Sequence, residues 1–186
     1  MSDVFVHPNA LCESDSVGAG TRVWAFAHVM RGATIGRDCN LCDHVFVEGG
    51  VTIGDRVTVK NGVTLFDEVT IENDVFIGPN AVFTNDLRPR VEARTPREEW
   101  LPTRIGRGAS IGANATIVCG TTIGEYAFIG AGSVVVHSVP AHALVIGNPA
   151  KQTGWVCVCG ETLAAELRCE CGKRYAMDEA GLRLIG

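Results

Sequence analysis

Three groups of residues in this chain carry chemistry by their types and spacing. The most compact is Cys157-x-Cys159-Gly followed by Cys169-x-Cys171-Gly. Paired thiols each closed by a glycine suit a tetrahedral thiolate site, because Gly160 and Gly172 permit turns that aim both sulfurs of a pair at one ion. The usual knuckle has two residues between its cysteines and here each has one, so disulfides or free thiols stay open as alternatives. The second group is a run of guanidiniums, Arg88, Arg90, Arg94, Arg97 and Arg104, set among Asp86, Glu92, Glu98 and Glu99. Guanidinium forks fit phosphate oxygens, while a solvated loop with internal ion pairs is the plainer reading. The third is Asp67 with Asn85, eighteen residues apart.

That spacing acquires meaning from the elements around it. Phe5, Leu11, Val17, Val23, Val29, Ile35, Leu41, Val47, Ile53, Val59, Leu65, Ile71, Ile77 and Phe83 follow one another at intervals of six, and the ladder resumes from Ile105 to Val135. A helix repeats at 3.6 residues and a strand at 2, so neither alone produces six. Four residues after most rungs stands a small or β-branched residue, such as Thr21, Ala27, Cys39 or Val51, and glycine often follows the rung directly. Each hexad thus supplies one large inward residue, one small inward residue and a turn, the pattern of a parallel β-helix. Three hexads close a triangular coil, so residues eighteen apart stack about one strand spacing, ~4.8 Å, on the next coil.

The expected architecture is all-β: a β-helix of hexapeptide repeats over residues 1–151, with an inserted loop at 84–104, and a small Cys-rich, zinc-ribbon-like tail over 152–186. Residues two after a rung belong to corners and face outward. One such edge carries Arg31, Gly49, Asp67 and Asn85, so Asp67 and Asn85 are expected one above the other. The basic loop leaves from the same edge, and loops of that length are usually functional.

Composition narrows the function classes. Sixteen basic against 21 acidic residues give a net charge of −5, which argues against a nucleic-acid partner. No apolar run reaches membrane-spanning length and no basic, then apolar, leader opens the chain, so no membrane association and a cytoplasmic location are expected. Cys12, Cys39, Cys42 and Cys119 are scattered, and Cys39 takes a small inward position, where a thiol serves as a small hydrophobe. In a reducing compartment the four tail cysteines are expected to hold structural zinc, with every position filled by thiolate and none left for water.

Two stretches, "ATIGRDCNLCDHVFVEGGVTIGDRV" and "ASIGANATIVCGTTIGEYAFIGAGSVVVHSVPAHALVIGNPAK", resemble the left-handed β-helix acyltransferases. "RVWAFAHV", "VKNGVTLFDEVTIENDVFIGPNAVFTND" and "LRPR" resemble the subfamily that acetylates the 3-amino group of nucleotide-linked sugars, with Phe66 where tyrosine is usual and Leu87 before Arg88-Pro89-Arg90. The resemblance implies a homotrimer, in keeping with exposed apolar residues expected on the outer faces such as Phe46 and Phe76, that moves acetyl from acetyl-CoA to a nucleotide-diphosphate-linked amino sugar. It implies that Asn85 holds the amine and Asp67 orients it, with Arg31, His28, Asn61, Phe66, Arg88 and Arg90 around the nucleotide sugar. It also implies a coenzyme groove along the later coils, where Ala113 and Ala131 admit the pantetheine arm and Lys151 reaches a phosphate. The departing thiolate takes the amine's proton, so catalysis is largely positioning, aided by a corner N–H at the oxyanion. Two other classes compete: a γ-carbonic-anhydrase-like enzyme, for which His137 and His142 have a suitable five-residue offset, and a non-catalytic trimeric scaffold.

Overall fold

The computed structural model describes residues 3–179 and 181–186. Very short strands, most of two residues and most ending on a rung, assemble into three sheets in which the coil strands run parallel. The first face has nine strands starting at Phe5–Val6, the second seven starting at Leu11–Cys12, and the third six starting at Ser16–Val17. Register follows the expected eighteen, as in Ile35↔Ile53 on the third face. Rungs such as Leu41, Ile77, Phe83 and Ile117 are fully buried, and so are the small inward residues Ala33, Val51 and Ala109. One aliphatic column therefore runs through the coils, each coil covering the next.

Two close contacts fix the corners. The third residue after almost every rung adopts the left-handed conformation, for example Asp38 at φ 55°, Arg56 at 56° and Tyr126 at 54°. Outside glycine that conformation costs roughly 1–2 kcal/mol. It aims the residue's N–H at the previous coil: Arg56 donates to the Arg37 carbonyl at 2.7 Å, and Asp74 to that of Asp55 at 2.9 Å. The corners are thus laddered as the strands are. Glycine directly after a rung answers a second demand. A Cβ on Gly36 would lie 2.5 Å from the carbonyl of Gly54 in the next coil.

Four expectations need correction. Phe5 and Leu11 are exposed rather than inward, because the first coil pairs seventeen residues along: Phe5 lies beside Arg22 and Leu11 beside His28, which leaves Val6 with rung Val23 and Cys12 with rung Val29. Phe46, expected on the surface, is half-buried under its aromatic neighbours, whereas Phe76 is exposed. The inserted loop closes at residue 102: Thr103 and Arg104 belong to the strand Thr103–Ile105, where Arg104 pairs with Glu72. The break expected after Lys151 falls inside the strand Ala150–Trp155, which runs antiparallel to Ala143–Gly147 and closes the first face. Beyond it a second apolar cluster forms around Cys157, Leu163, Cys169, Tyr175 and Leu182. Among the described residues no helix is long and apolar enough to cross a membrane.

The corner packing predicts that Gly36→Ala destabilises the fold by about 1–3 kcal/mol, the usual cost of overpacking against atoms that cannot move. Thr52→Val, on the polar outer surface of the third face, should stay within ~0.5 kcal/mol of the parent. Denaturant melts of the two variants side by side check both.

Candidate functional site

The corner after the second face gathers the expected residues. Strand register sets Val29 beside Val47, Leu65 beside Val47, and Thr64 beside Val82. Arg31, Gly49, Asp67 and Asn85, two beyond successive rungs, therefore share one edge. The loop folds back on them through a short 3-10 turn, Arg97–Glu99. Its Arg97 guanidinium pairs with the Asp67 carboxylate. Asp67, expected to face solvent, is only 4% exposed, whereas Arg97 is 67% exposed. The Asp67 amide donates to Glu48 Oε2 at 2.7 Å, and Asp67 Oδ1 accepts from the Glu68 amide at 3.0 Å. A Cβ on Gly50 would sit 1.5 Å from Asp67 Oδ1, so this carboxylate reaches its place only above a glycine. Together with Arg31, Glu48, Gly49 and Trp100, the pair lines a recess of about 350 Å³.

Asn85 is half-buried and lines a neighbouring cavity of about 450 Å³ with Asp86, Arg88, Glu99 and Trp100. Trp100 borders both cavities, so Asp67 and Asn85 are stacked in register yet open into separate hollows. Asp86 ties down the start of the loop, accepting from the Arg88 amide at 2.8 Å and the Thr95 hydroxyl at 3.1 Å. Arg90 and Arg94 line a third hollow, again against Trp100. The Trp100 indole Nε1 is buried and has no hydrogen-bond partner among the described residues.

His28 lies on the outer side of the second face, 2.9 Å from Glu13, and meets Phe46 edge-on with ring centres 5.6 Å apart. Phe66 continues this aromatic row, 6.1 Å from Phe46. Asn61 lies elsewhere: it follows rung Val59 and donates to Asp43 Oδ2 at 3.1 Å on the corner after the first face. Ala113 and Ala131 belong to that same corner, stacked so closely that a Cβ on Gly112 would lie 2.4 Å from the Ala131 nitrogen. Lys151 joins them, because it pairs with Ile146, whose side chain lies over Gly130. The two candidate edges thus flank the second face on opposite sides.

In the tail, the four sulfurs of Cys157, Cys159, Cys169 and Cys171 lie within 4.8 Å of one another, two pairs of them at 3.5 Å. Four thiolates about 2.3 Å from one tetrahedral ion stand ~3.8 Å apart, so the set fits zinc. Each knuckle uses the same bonds. Cys157 N donates to Glu161 O and Gly160 N to Cys157 O; Cys169 N donates to Lys173 O and Gly172 N to Cys169 O. Gly160 and Gly172 are left-handed at φ 95° and 91°, which lets the tight one-residue spacing aim both sulfurs inward. Burial pushes the Cys157 thiol up, but the Cys159 amide, the Tyr175 hydroxyl and the neighbouring thiols bring it down to about 6. A thiolate is the form a metal needs.

The histidine alternative is corrected by placement. His137 is exposed two beyond rung Val135, on the second-face corner. His142 is buried on the third-face corner between Tyr126 and Tyr175, its Nδ1 donating to the Val156 carbonyl at 2.9 Å. The two do not converge, and the ligand cluster among the described residues contains no histidine.

Residues 32–66 match the hexapeptide repeat of succinyl-transferase, and 102–137 the bacterial transferase hexapeptide (six repeats). A dTDP-3-amino-3,6-dideoxy-alpha-D-galactopyranose 3-N-acetyltransferase from Aneurinibacillus thermoaerophilus is 51% identical over 174 residues, 92% of this chain and 90% of the relative. The chain belongs to the hexapeptide-repeat acyltransferases. Among solved structures, the acyltransferase resembles the acetyltransferase domain of PglB from Neisseria gonorrhoeae in complex with acetyl coenzyme A, with 25% identity and a TM-score of 0.51. The match covers 81% of this chain but 57% of that one, little more than half its length. It shares its fold with a mutant of AntD, an N-acyltransferase from Bacillus cereus in complex with dTDP and Coenzyme A, at a TM-score of 0.60, 17% identity and coverage of 83% and 82%.

Sequence reasoning missed four residues of this acyltransferase's corner. Arg97 stood only as one loop charge among several, and Trp100 and Glu48 carried no spacing signal. Gly50 was legible: "EGG" places two glycines where the hexad asks for one.

Burial pushes the His142 imidazole below its ordinary value. The folded acyltransferase therefore holds His142 neutral at a pH where the unfolded chain protonates it. Its contribution is intact above the ordinary histidine value of about 6.5 and is lost as pH falls through that value towards the depressed one. Protection of the Gly181–Leu184 amides, corrected for intrinsic exchange, should fall between about pH 7 and 5.5. His142→Gln should flatten that fall, and an equal fall in both proteins would contradict the assignment.

Proposed function

We propose that this enzyme transfers acetyl from acetyl-CoA to the 3-amino group of a dTDP-linked 3-amino-6-deoxyhexose. The observation that carries the reading is the 51% identity, across a span that takes in both coil and loop, to a relative named for that activity. The stacked Asp67 and Asn85 beside a guanidinium-rich loop support it.

In this reading the acceptor reaches Asp67 as its ammonium ion and loses one proton to solvent; the Asn85 side chain then accepts from the neutral amine and turns its lone pair towards the thioester carbonyl, while Asp67 orients the same nitrogen. Nitrogen–carbon bond formation gives a tetrahedral oxyanion, met by a corner backbone N–H. Collapse breaks the carbon–sulfur bond, and the thiolate leaves with the proton of the new ammonium, giving amide and free coenzyme A. No separate base is required, so positioning supplies the rate. Arg88 and Arg90 face the diphosphate, and Arg31, His28 and Phe66 surround the nucleotide and sugar. Ala113, Ala131 and Lys151, with Asn61 on the same edge, receive the coenzyme. That edge lies across the second face from Asn85, so a neighbouring copy in a homotrimer completes each site. Exposed Phe76 and Val82 on the outer faces suit that burial. The location is the cytoplasm, where thiols stay reduced. The four tail cysteines hold one structural zinc.

Asn85→Ala should lower turnover by about 10²–10³-fold, a scale typical of losing one positioned polar group, while the fold stays intact. Asp67→Asn should lower it by at least about tenfold. Steady-state acetyl transfer measures both, and unchanged turnover in Asn85→Ala removes it from the site. Protein purified without added metal or chelator should contain about one zinc per chain by elemental analysis. Four titratable tail thiols with no metal, or two disulfides, contradict the zinc site.

A further inference from the structure

We propose that Arg97 is the resident occupant of the subsite that receives the acceptor's ammonium group, and that its displacement makes the enzyme selective for amino over hydroxy sugars. The inference rests on the reading that Asp67 faces the acceptor nitrogen.

The recess lined by Arg31, Glu48, Asp67 and Arg97 contains two carboxylates and two guanidiniums. Without Arg97 it carries one unbalanced negative charge. Asp67 is the buried member, and a carboxylate removed from water requires a cation or several donors. The Glu68 amide at 3.0 Å is one donor, and the Arg97 guanidinium is the cation. Gly50 shapes the floor so that this carboxylate is admitted and held.

The two partners differ in what they lose on separation. Arg97 is two-thirds exposed and belongs to a loop, so its guanidinium returns to water at small cost. Asp67 cannot follow it. A cation that enters the recess therefore replaces Arg97 without leaving the carboxylate unpaired. The protonated 3-amine of an amino sugar is such a cation, and a 3-hydroxyl is not. A hydroxy sugar leaves Arg97 on Asp67 and the recess occupied. Trp100, three residues along the chain and bordering both this recess and the Asn85 cavity, moves with Arg97. Its unpartnered Nε1 has no bond to break when the turn shifts.

The test measures binding without acetyl-CoA, so it is independent of turnover. Calorimetry should show Arg97→Gln binding a dTDP-3-amino sugar about fivefold more tightly than the parent, the factor by which a mostly exposed ion pair competes. In a Trp24→Phe/Trp155→Phe background, Trp100 emission should shift with the 3-amino sugar and stay put with its 3-hydroxy counterpart. Weaker amino-sugar binding by Arg97→Gln, or the same emission shift with both sugars, overturns the exchange. Asp67→Asn separates the two levels. If it weakens amino-sugar binding while Arg97→Gln does too, the reading of Asp67 stands and the exchange alone fails. If it leaves that affinity unchanged, Asp67 does not face the amine and both fall.

Discussion

Everything in this molecule depends on coils stacking in register, eighteen residues apart except at the first and last coils and across the inserted loop. Strands of two residues have almost no stability of their own, and the register is held from both sides of the wall. Inside, rung packs on rung, as Ile35 on Ile53 and Thr64's neighbour Leu65 on Val47. Outside, most left-handed corner residues donate to the corner below, as Asp38 does to Ala19 at 3.0 Å, while the Glu68 amide turns instead to Asp67 Oδ1. A corner residue is thereby placed as rigidly as a core residue. This explains how a chain with almost no helix holds polar side chains from distant segments in a line.

The edge of Asp67 and Asn85 uses that rigidity and then adds a partner from the inserted loop. Arg31, Gly49, Asp67 and Asn85 are aligned by register alone. The loop that leaves after Asn85 returns Arg97 and Trp100 to the same edge, one closing the charge of Asp67 and the other dividing the space beside it. The scaffold is set by register and the covering loop by its own contacts, the division between frame and surface segment that loops usually follow.

Period decides what could be read from the residues alone. The aliphatic ladder, the inward Cys39 and the Asp67–Asn85 stack all follow from counting by six and eighteen, and all three are where counting puts them. Counting fails at the first coil, where the register is seventeen and Val6 and Cys12, not Phe5 and Leu11, stand beside rungs Val23 and Val29. It also fails in the loop, because residues 86–102 have no repeat, and which of their four arginines meets Asp67 is decided by a single turn at Arg97–Glu99. Asn61, which motif likeness groups around the nucleotide sugar, stands by its position after rung Val59 on the corner of Ala113 and Ala131. The left-handed corner position escaped because Phe, Arg, Glu and Tyr occupy it as well as Asp, Asn and Gly. In the tail the cysteine pairs were legible from spacing. The burial of His142 against Tyr175, which joins tail to coil, was not.

The central claim is that this edge acetylates an amine on a nucleotide-linked sugar. The most direct measurement follows coenzyme A release from acetyl-CoA with a dTDP-3-amino-3,6-dideoxyhexose and, in parallel, with the same sugar bearing a 3-hydroxyl, and weighs the product by mass spectrometry. The account predicts stoichiometric coenzyme A release and one added acetyl group with the amine, and neither with the hydroxyl. Release without an acetylated sugar, or equal acetylation of both sugars, would contradict it.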